Sequence, residues 1–433
     1  MSAVTAAADR PALATEEQLA ADRLLIDILA DPRVVAAQAG LRAELAADPS
    51  ANTPDGRAWL DRAVSLYAGS LAMREIGADP RRPVVLRDLE PSVLEWFGMR
   101  VPARGTSGES PDNIYRYLSL DGDYSYVLTG RMPTDGPIHF SLDARQASGR
   151  KPPGHPAPAG RSDSGVQVGL LTERELACDG RGDFAITIDS RPADGRRNHL
   201  RIQPGPVTVL VRNVLSDWRQ RPTPLAIRRT DAGAGAPPPS LDALVGNLVD
   251  DLREWALYWF NIPHTLLGAP PVNTFPTPVP RDGGWGRLTL CHFRLAEDEA
   301  MVVTTSRAGA RYTGAQVLGP WLVPPEPAGR SVSRNISQTH ANPDGSVTYV
   351  LSAVDVGAPN WLDTLDLRQG TAMFRWSAFA GEHDPAILVR DHRVVRLGEL
   401  DVLLADGPPR VSARDRQAEL SRRIGDYAAR TAG

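Results

Sequence analysis

The chain has 433 residues and a formal net charge of −4, and 42% of its residues are hydrophobic. This length and composition predict two or three globular domains with a sizeable core. The charge provides no global attraction to nucleic acid or to an anionic membrane, so neither is expected as a partner. Lys151 is the only lysine, and it lies in a Pro/Gly-rich loop, a poor setting for a Schiff base.

The cysteine pattern and the first residues indicate a reduced, cytoplasmic protein. Cys178 and Cys291 are too few for a disulfide framework and are predicted to be separate thiols. Residues 1–18 contain no apolar segment typical of a signal peptide, and no apolar run of about 18 residues predicts a membrane span.

The first hundred residues have the period of helices. Residues 1–15 are rich in Ala and are predicted to be disordered. Helices are then expected from Glu16 to Asp31, from Val34 to Ala46, and from a cap at Asp55 to Gly77. Residues 1–104 are therefore predicted to form a helical N-terminal unit.

Near residue 112 the period changes to two. Ile114–Leu120 and Tyr124–Gly130 flank a turn and predict a β-hairpin, and Val207–Val214 is the most strand-like stretch. Short strands with polar turns predict a β-sandwich over residues 105–232. Within it, the Gly/Pro/Ser-rich loop 147–165 is expected to be the site of first proteolysis.

A helix at Ser240–Phe260 is predicted to join this part to a second set of strands. Its aromatic end favours interdomain core, with a cofactor site as the alternative. The second β-rich domain is predicted over residues 240–433, with a closing helix at Ser412–Ala429. The predicted fold class is α+β, mainly β, with two antiparallel sandwich-like parts.

No motif identifies a cofactor or a metal. The eight histidines are scattered and show no metal-ligand spacing, either with each other or with the cysteines. No nucleophile elbow, phosphate loop or dinucleotide fingerprint is present. We therefore predict no cofactor and no metal.

The most conspicuous polar stretch is Val354–Trp376. Turn residues precede Asn360, Trp361 and Asp363, and a strand containing Arg375 follows. Loops at sheet ends carry function disproportionately, so these residues are expected to line the main pocket, with Arg375 beside them. The alternative is that they brace a long turn.

Two further groups are candidates. Arg212, Asp217 and Trp218 follow one strand end and could aim a cation, a carboxylate and an indole at one point, or could simply brace it. Asn335 and Gln338 offer amides suited to a neutral polar ligand, or could satisfy backbone groups in their loop.

Several motifs together resemble the DUF1214 family of bacterial proteins, which is related to DUF1254. They lie between residues 105 and 380, and they include Ser110–Arg116, Leu120–Tyr126, Leu200–Pro206 and the run from Pro359 to Trp376. The resemblance implies a β-rich fold with two sandwich-like parts. The family name records an unknown function, so it implies fold more than mechanism.

The chain departs from the family pattern in two places. Asn198-His199 stands where members often carry Trp, and Leu365-Asp366-Leu367 stands where they often carry Gly-His.

Three functions remain open. The first is a cofactor-independent enzyme acting on a small, largely apolar molecule such as a secondary metabolite. The second is a carbohydrate or small-molecule binding protein without turnover, and the third is an accessory protein that forms homo-oligomers through the helical unit. For the enzyme, the acid/base candidates are Asp217, Asp363 and Tyr115, the charge stabilisers are Arg212 and Arg375, and the ligand-binding candidates are Trp218, Asn335, Gln338, Asn360, Trp361 and Trp376.

Overall fold

The structure is a computed structural model that describes residues 11–146, 166–231, 237–266 and 271–432. Most of the predicted disordered start and the predicted protease-sensitive loop 147–165 lie outside the described residues. Helices dominate the first part and antiparallel sheets the rest, which confirms the predicted α+β, mainly β fold class.

The helices of the described residues are α1 Glu16–Ala30, α2 Pro32–Ala46, α3 Pro54–Ile76, α4 Leu241–Leu266, α5 Leu400–Leu403 and α6 Ala413–Ala432. Each of the first three begins at a side-chain cap, as the first-turn N–H groups require. Thr15 and Asp31 cap α1 and α2, and Thr53 caps α3. The predicted cap Asp55 was wrong: its Oδ2 instead accepts hydrogen bonds from the backbone N–H groups of Arg368 and Gln369, at 3.1 and 3.2 Å.

Helix α4 packs into the same core as α1–α3. Leu244, Leu248, Leu252 and Trp255 recur at helical spacing and are buried with the N-terminal helices. The helical layer is therefore completed by a segment about 165 residues further along the chain than the end of α3.

The strands divide into two consecutive groups. The first group is β1 Leu86–Leu89, β2 Leu94–Trp96, β3 Met99–Val101, β4 Asn113–Asp121, β5 Tyr126–Arg131, β6 His139–Gln146, β7 Val166–Thr172, β8 Asp183–Asp189, β9 His199–Arg201, β10 Pro206–Val214 and β11 Leu225–Arg229. The second group is β12 Val279–Pro280, β13 Gly286–Arg294, β14 Glu299–Thr305, β15 Ala310–Leu318, β16 Ser333–Asn335, β17 Val347–Ser352, β18 Trp361–Asp363, β19 Gln369–Phe379 and β20 Val389–Arg396.

Strands β2 and β3 pair only with each other, and the remaining strands of each group form a sandwich of a five-stranded and a four-stranded sheet with the same topology. The first has the orders β1-β4-β10-β6-β7 and β11-β5-β8-β9, and the second has β12-β13-β19-β15-β16 and β18-β17-β14-β20. The pairing is antiparallel except for one parallel pair in each half, β8 with β9 and β17 with β18. Strands β4–β11 thus recur in order as β13–β20, a duplication that no sequence repeat had revealed.

The register aligns individual residues of the two halves. Asp121 and Arg294 end β4 and β13, and four residues connect each strand to the next one. Tyr115 lies six residues before the end of β4 and pairs with Arg212 on β10. Leu288 lies six residues before the end of β13 and pairs with Arg375 on β19. Arg212 and Arg375 therefore occupy equivalent positions.

The predicted hairpin is wrong, although both of its strands exist. β4 pairs with β1 and β10, whereas β5 pairs with β8 and β11 in the other sheet. The turn between them crosses from one sheet of the sandwich to the other. Both strands alternate in polarity because each sheet turns one face to the shared core.

The stretch after Pro359 is also different from the expected projecting loop. Trp361–Asp363 forms the buried strand β18, parallel to β17. The Trp361 Nε1–H donates to the carbonyl and the hydroxyl oxygen of Ser352, both at 3.1 Å. In the first half His199 stands at the same position, and its Nε2 lies 2.9 Å from Asp189 Oδ1.

The last helix, α6, is held by arginines rather than by an apolar stripe. Arg416, Arg423 and Arg430 are spaced by seven residues and are each at most 4% exposed. Arg416 contacts Asp355, Arg423 donates to Gln338 Oε1, and Arg430 pairs with Glu90. This helix therefore joins both β-rich parts.

Replacing Arg430 with Ala should lower the free energy of unfolding by about 3–5 kcal/mol, because buried Glu90 then loses its hydrogen-bonded cation and keeps only the longer contact with Arg87, at 3.7 Å. Urea unfolding followed by circular dichroism measures the loss. Arg422→Ala is the matched control, since Arg422 is an exposed arginine on the same helix and its loss should change little. Equal effects of the two variants would contradict this account of α6.

Candidate functional site

A cavity of about 520 Å³ lies between the two five-stranded sheets, closed by α4 and by residues 106–110. Its position follows from strand alternation: along β10, Val207, Val209 and Val211 face the sandwich core, while Thr208, Leu210 and Arg212 face the cavity. Cavities of about 300–1,000 Å³ are the usual size for small organic ligands.

One end of the cavity carries four arginines, Arg145, Arg212, Arg281 and Arg375, here called the arginine cluster. Asp143 Oδ2 accepts from Arg212 at 3.0 Å and from Arg145 at 3.1 Å. Asp282 contacts Arg145 at 2.7 Å. Burial raises and these two arginines lower the pKa of Asp143, and the net direction is down.

Arg281 and Arg375 have no carboxylate partner among the described residues. Arg375 donates to Gln316 Oε1 at 2.6 Å and to the carbonyl oxygen of Gly108, which are both neutral acceptors. The Arg281 guanidinium lies over the Trp285 ring, 5.0 Å from its centroid, and donates no hydrogen bond to any described residue.

The duplication explains this difference between the two equivalent arginines. Asp143 and Gln316 occupy equivalent places on β6 and β15, beside Arg212 and Arg375. The first half thus pairs its arginine with a carboxylate, and the second half pairs its arginine with an amide. The charge of Arg212 is neutralised within the protein, and the charge of Arg375 is not.

The pKa of Arg281 is lowered to about 9, first by burial and then by repulsion from Arg212. Its side chain is half-buried, and the remaining surface opens on the cavity. No carboxylate among the described residues pairs with Arg281 to offset these two effects.

The other end of the cavity is aromatic and apolar. Trp255, Tyr258 and Trp259 on α4 form what we call the α4 wall, next to Ile262 and Met373. The indole N–H groups of Trp255 and Trp259 are buried and have no acceptor among the described residues. This end could therefore hold the apolar body of a ligand.

Glu109 is the carboxyl group of the cavity whose protonated form is favoured. Burial raises its pKa above the ordinary value of 4.5, against the hydrogen bonds from Thr106. Its Oε1 accepts from the backbone N–H and the hydroxyl of Thr106, and its buried Oε2 has no partner among the described residues. Such a group keeps its proton to a higher pH than an exposed glutamate does.

A second buried carboxylate, Asp112, supports one wall of the cavity. Its Oδ2 accepts from the hydroxyl of Tyr312 at 2.8 Å, and its Oδ1 accepts from Trp218 Nε1 at 2.7 Å and from Asn335 Nδ2 at 3.2 Å. Burial raises the pKa of Asp112, and these three donors oppose that rise. Tyr312 lines the cavity, so its position depends on this carboxylate.

Four of the predicted site residues line the cavity: Tyr115, Arg212, Arg375 and Trp376. The Tyr115 hydroxyl accepts from the Ser110 N–H at 3.2 Å. Trp376 is 2% exposed and donates to the Ser306 carbonyl, so most of its ring belongs to the core of the second sandwich.

The expectation that Asn360, Trp361 and Asp363 line the main pocket was wrong. The Asn360 amide bonds the backbone of His340 and Thr348, which leaves it 2% exposed. Asp363 binds Arg330 through both oxygens, at 2.6 and 3.0 Å. The bracing alternative describes these residues.

The other predicted residues also lie outside the cavity wall. Asp217 forms a surface ion pair with Arg219 at 2.6 Å. Gln338 accepts from Arg423 of α6 and from the Asn335 N–H. Trp218 and Asn335 both donate to Asp112. They therefore help to position Tyr312 in the cavity wall and do not line the cavity themselves.

Sequence reasoning missed Glu109, Asp112, Arg281 and Gln316. Asp112 stands inside the motif Ser110–Arg116, so its neighbourhood had been noticed without the residue itself. Arg281 follows a Pro-rich segment, and no local pattern there marks it. The importance of Gln316 depends on its equivalence to Asp143, which only the strand register reveals.

Two searches of the described residues found nothing. No cluster of three or more His, Cys, Asp or Glu side chains in that part of the chain could hold a metal ion. No described helix combines the length and the apolar character needed to cross a bilayer.

Replacing Asp363 with Asn should lower the melting temperature by a few degrees, about 1 kcal/mol, and leave ligand binding in the cavity unchanged. The carboxylate holds Arg330 and also accepts from the Leu365 N–H at 2.7 Å, where the backbone φ is +62°. Differential scanning fluorimetry measures the shift. Asp401→Asn is the control, because the Asp401 side chain is 93% exposed in its ion pair. Weakened cavity binding by Asp363→Asn would contradict the bracing role.

Comparisons with known proteins show the fold and no function. No protein-family model matches the chain, and no curated protein matches it. A crystal structure of an uncharacterised protein from Burkholderia cenocepacia is similar, with a TM-score of 0.66 and 22% identity over 88% of this chain and 99% of that one. A protein from Vibrio parahaemolyticus matches with a TM-score of 0.39 and 12% identity over 78% of this chain and 99% of that one, too remotely for any argument. The resemblance to DUF1214 therefore stays a prediction.

Proposed function

We propose that the chain is a cofactor-independent enzyme that binds a small, largely apolar organic molecule in the cavity between its two sandwiches and catalyses a proton transfer on it. The observation that carries the proposal is the cavity itself, with an apolar wall at one end and the arginine cluster at the other. Such a combination of apolar lining with a few convergent polar groups is typical of ligand sites.

In this proposal Glu109 is the acid/base residue. Burial raises its pKa, and the residue lines the cavity, where its buried Oε2 has no hydrogen-bond partner among the described residues. Arg375, which binds the carbonyl of the adjacent Gly108, stabilises the negative charge that develops when a proton leaves the bound molecule. Tyr115, on the same wall, orients the reacting group through its hydroxyl.

The alternative is binding without turnover, and one observation favours it. The aromatic and apolar α4 wall could hold a ligand without any chemistry. Glu109 decides between the two functions, since a binding protein has no need of a protonated carboxyl there.

The first experiment asks whether the cavity holds a small molecule. Native mass spectrometry of the purified protein should detect a bound compound, and Leu210→Trp, which fills the cavity, should abolish it. Leu241→Trp is the control, because Leu241 is 41% exposed and lies on the outside of α4. A ligand retained by Leu210→Trp would overturn the assignment of the cavity.

Replacing Glu109 with Gln should keep the ligand bound but stop its conversion. Cell extract incubated with the wild type should show a changed compound by mass spectrometry, and extract incubated with Glu109→Gln should not, with a loss of at least about a hundredfold in rate. Equal conversion by both proteins would remove Glu109 from the mechanism. Binding by both proteins and conversion by neither would favour the binding function.

The same variant should change the pH dependence of stability. In the wild type the unfolded Glu109 releases its proton near pH 4.5, while the folded residue keeps it to a higher pH. Stability is therefore lost as pH rises from about 4.5, by about 1.4 kcal/mol for each tenfold difference in proton affinity. Glu109→Gln lacks this loss, so its stability relative to the wild type should increase between pH 4.5 and 8 in urea unfolding. A constant difference would show that Glu109 is ionised in the fold.

A further inference from the structure

We propose that the molecule bound in the cavity is an amphipathic carboxylic acid, whose carboxylate lies between Arg281 and Arg375 and whose apolar body lies against the α4 wall. The assignment rests on the proposed function, because it names the class of molecule that the same cavity takes.

The first argument is charge. Within the arginine cluster, Arg212 and Arg145 contact carboxylates, whereas Arg281 and Arg375 have no carboxylate partner among the described residues. Asp143 is engaged by Arg145, Arg212 and Gln167, and Asp282 by Arg145. Like charges placed together in a partly desolvated site are unfavourable unless an anion joins them. A bound carboxylate supplies that anion.

The second argument is the duplicated position. Arg212 and Arg375 are equivalent, and so are their neighbours Asp143 and Gln316. The amide of Gln316 accepts one hydrogen bond from Arg375 without cancelling its charge. The second sandwich thus keeps the geometry of the arginine and frees its charge for a ligand.

The third argument is the balance of donors and acceptors. The guanidinium of Arg281 lines the cavity and has no hydrogen-bond acceptor among the described residues. The carboxylates of the cavity are engaged, apart from the Oε2 of Glu109, which belongs to a carboxyl that favours its protonated form. A ligand that fits this cavity therefore places an acceptor with a negative charge at the arginine end.

The remaining donors fit a carboxylate better than a phosphate. Arg375 already directs two of its five N–H groups to Gln316 and Gly108, so its complete fork is no longer free. The planar guanidinium of Arg281 matches the two oxygens of a carboxylate. The remaining N–H groups of Arg375 can donate further hydrogen bonds to the same carboxylate. A phosphate has three strong acceptor oxygens to satisfy and two charges to neutralise.

The experiment measures three probes by isothermal titration calorimetry on the full chain: naphthalene-2-carboxylate, naphthalene-2-carboxamide and 2-naphthyl phosphate. We expect the carboxylate to bind at least tenfold more tightly than the carboxamide and more tightly than the phosphate. Arg281→Met should abolish the preference for the carboxylate. Arg311→Met, an exposed arginine of β15, should preserve it.

A second readout separates ligand recognition from a structural role. Arg281→Met should raise the melting temperature of the free protein, because it removes a repelled and partly desolvated cation, and it should abolish the stabilisation that the carboxylate gives. A structural arginine would give a lower melting temperature instead. Gln316→Glu, which supplies Arg375 with the partner that Arg212 has, should weaken carboxylate binding at least tenfold.

Each contrary result would overturn a particular part of the proposal. Equal affinity for carboxylate and carboxamide would overturn the carboxylate assignment and leave the cavity as a small-molecule site. Tighter binding of the phosphate would replace the carboxylate by a phosphate monoester. Probe binding that Leu210→Trp leaves unchanged, or no binding of any of the three probes, would overturn the inference, and the former would overturn the proposed function as well.

Discussion

The structure depends on the buried carboxylate of Asp112. It lies at the start of β4 in the first sandwich, and its oxygens accept from Tyr312 and Asn335 of the second sandwich as well as from Trp218 of the first. A buried carboxylate is costly unless its lone pairs are used, so these donors have to meet at one point. That requirement fixes the relative position of two sheets that share no continuous backbone pairing, and thereby the width of the cavity between them.

The cavity is a product of the duplication. Two copies of one sandwich turn equivalent sheets toward each other, so equivalent side chains face each other across the space. The two copies differ in side chains that determine the chemistry of the cavity. Asp143 of the first sandwich is replaced by Gln316 in the second. Likewise, Thr208 and Leu210 of the first sandwich correspond to Thr371 and Met373 of the second. The first sandwich supplies a neutralised arginine, and the second supplies one whose charge is available.

Much of the fold could be predicted from the sequence because it depends on local period. The N-terminal helices, the strand at Val207–Val214 and the strand carrying Arg375 are all set by which side chains must face the core. The helix predicted to end at Phe260, before Pro263, instead continues to Leu266. Strand pairing could not be predicted in the same way. Ile114–Leu120 and Tyr124–Gly130 have the pattern of a hairpin, and nothing local says that the turn between them changes sheets. The site was predicted only in part for the same reason. Arg212 and Arg375 were found as charged residues within strands, but a polar stretch such as Asn360–Asp363 is equally what a buried turn needs. Glu109 and Gln316 acquire a role only when distant strands meet.

Because α6 is held by buried arginines near the end of the chain, it packs late in folding. Glu90 is complete early in synthesis, but its cation Arg430 is separated from it by 340 residues. Until that part of the chain emerges from the ribosome, the carboxylate has Arg87 at 3.7 Å but lacks its hydrogen bonds from Tyr427 and Arg430, so burial of the segment around it is less favourable than in the full chain. The seven-residue spacing of Arg416, Arg423 and Arg430 then admits one register of the helix, since a slip by one residue would bury Gln417, Ile424 and Thr431 in places shaped for guanidinium groups. Closure by α6 is therefore a late, single-register step, and nascent chains shorter than about 430 residues would expose an unfinished surface to chaperones.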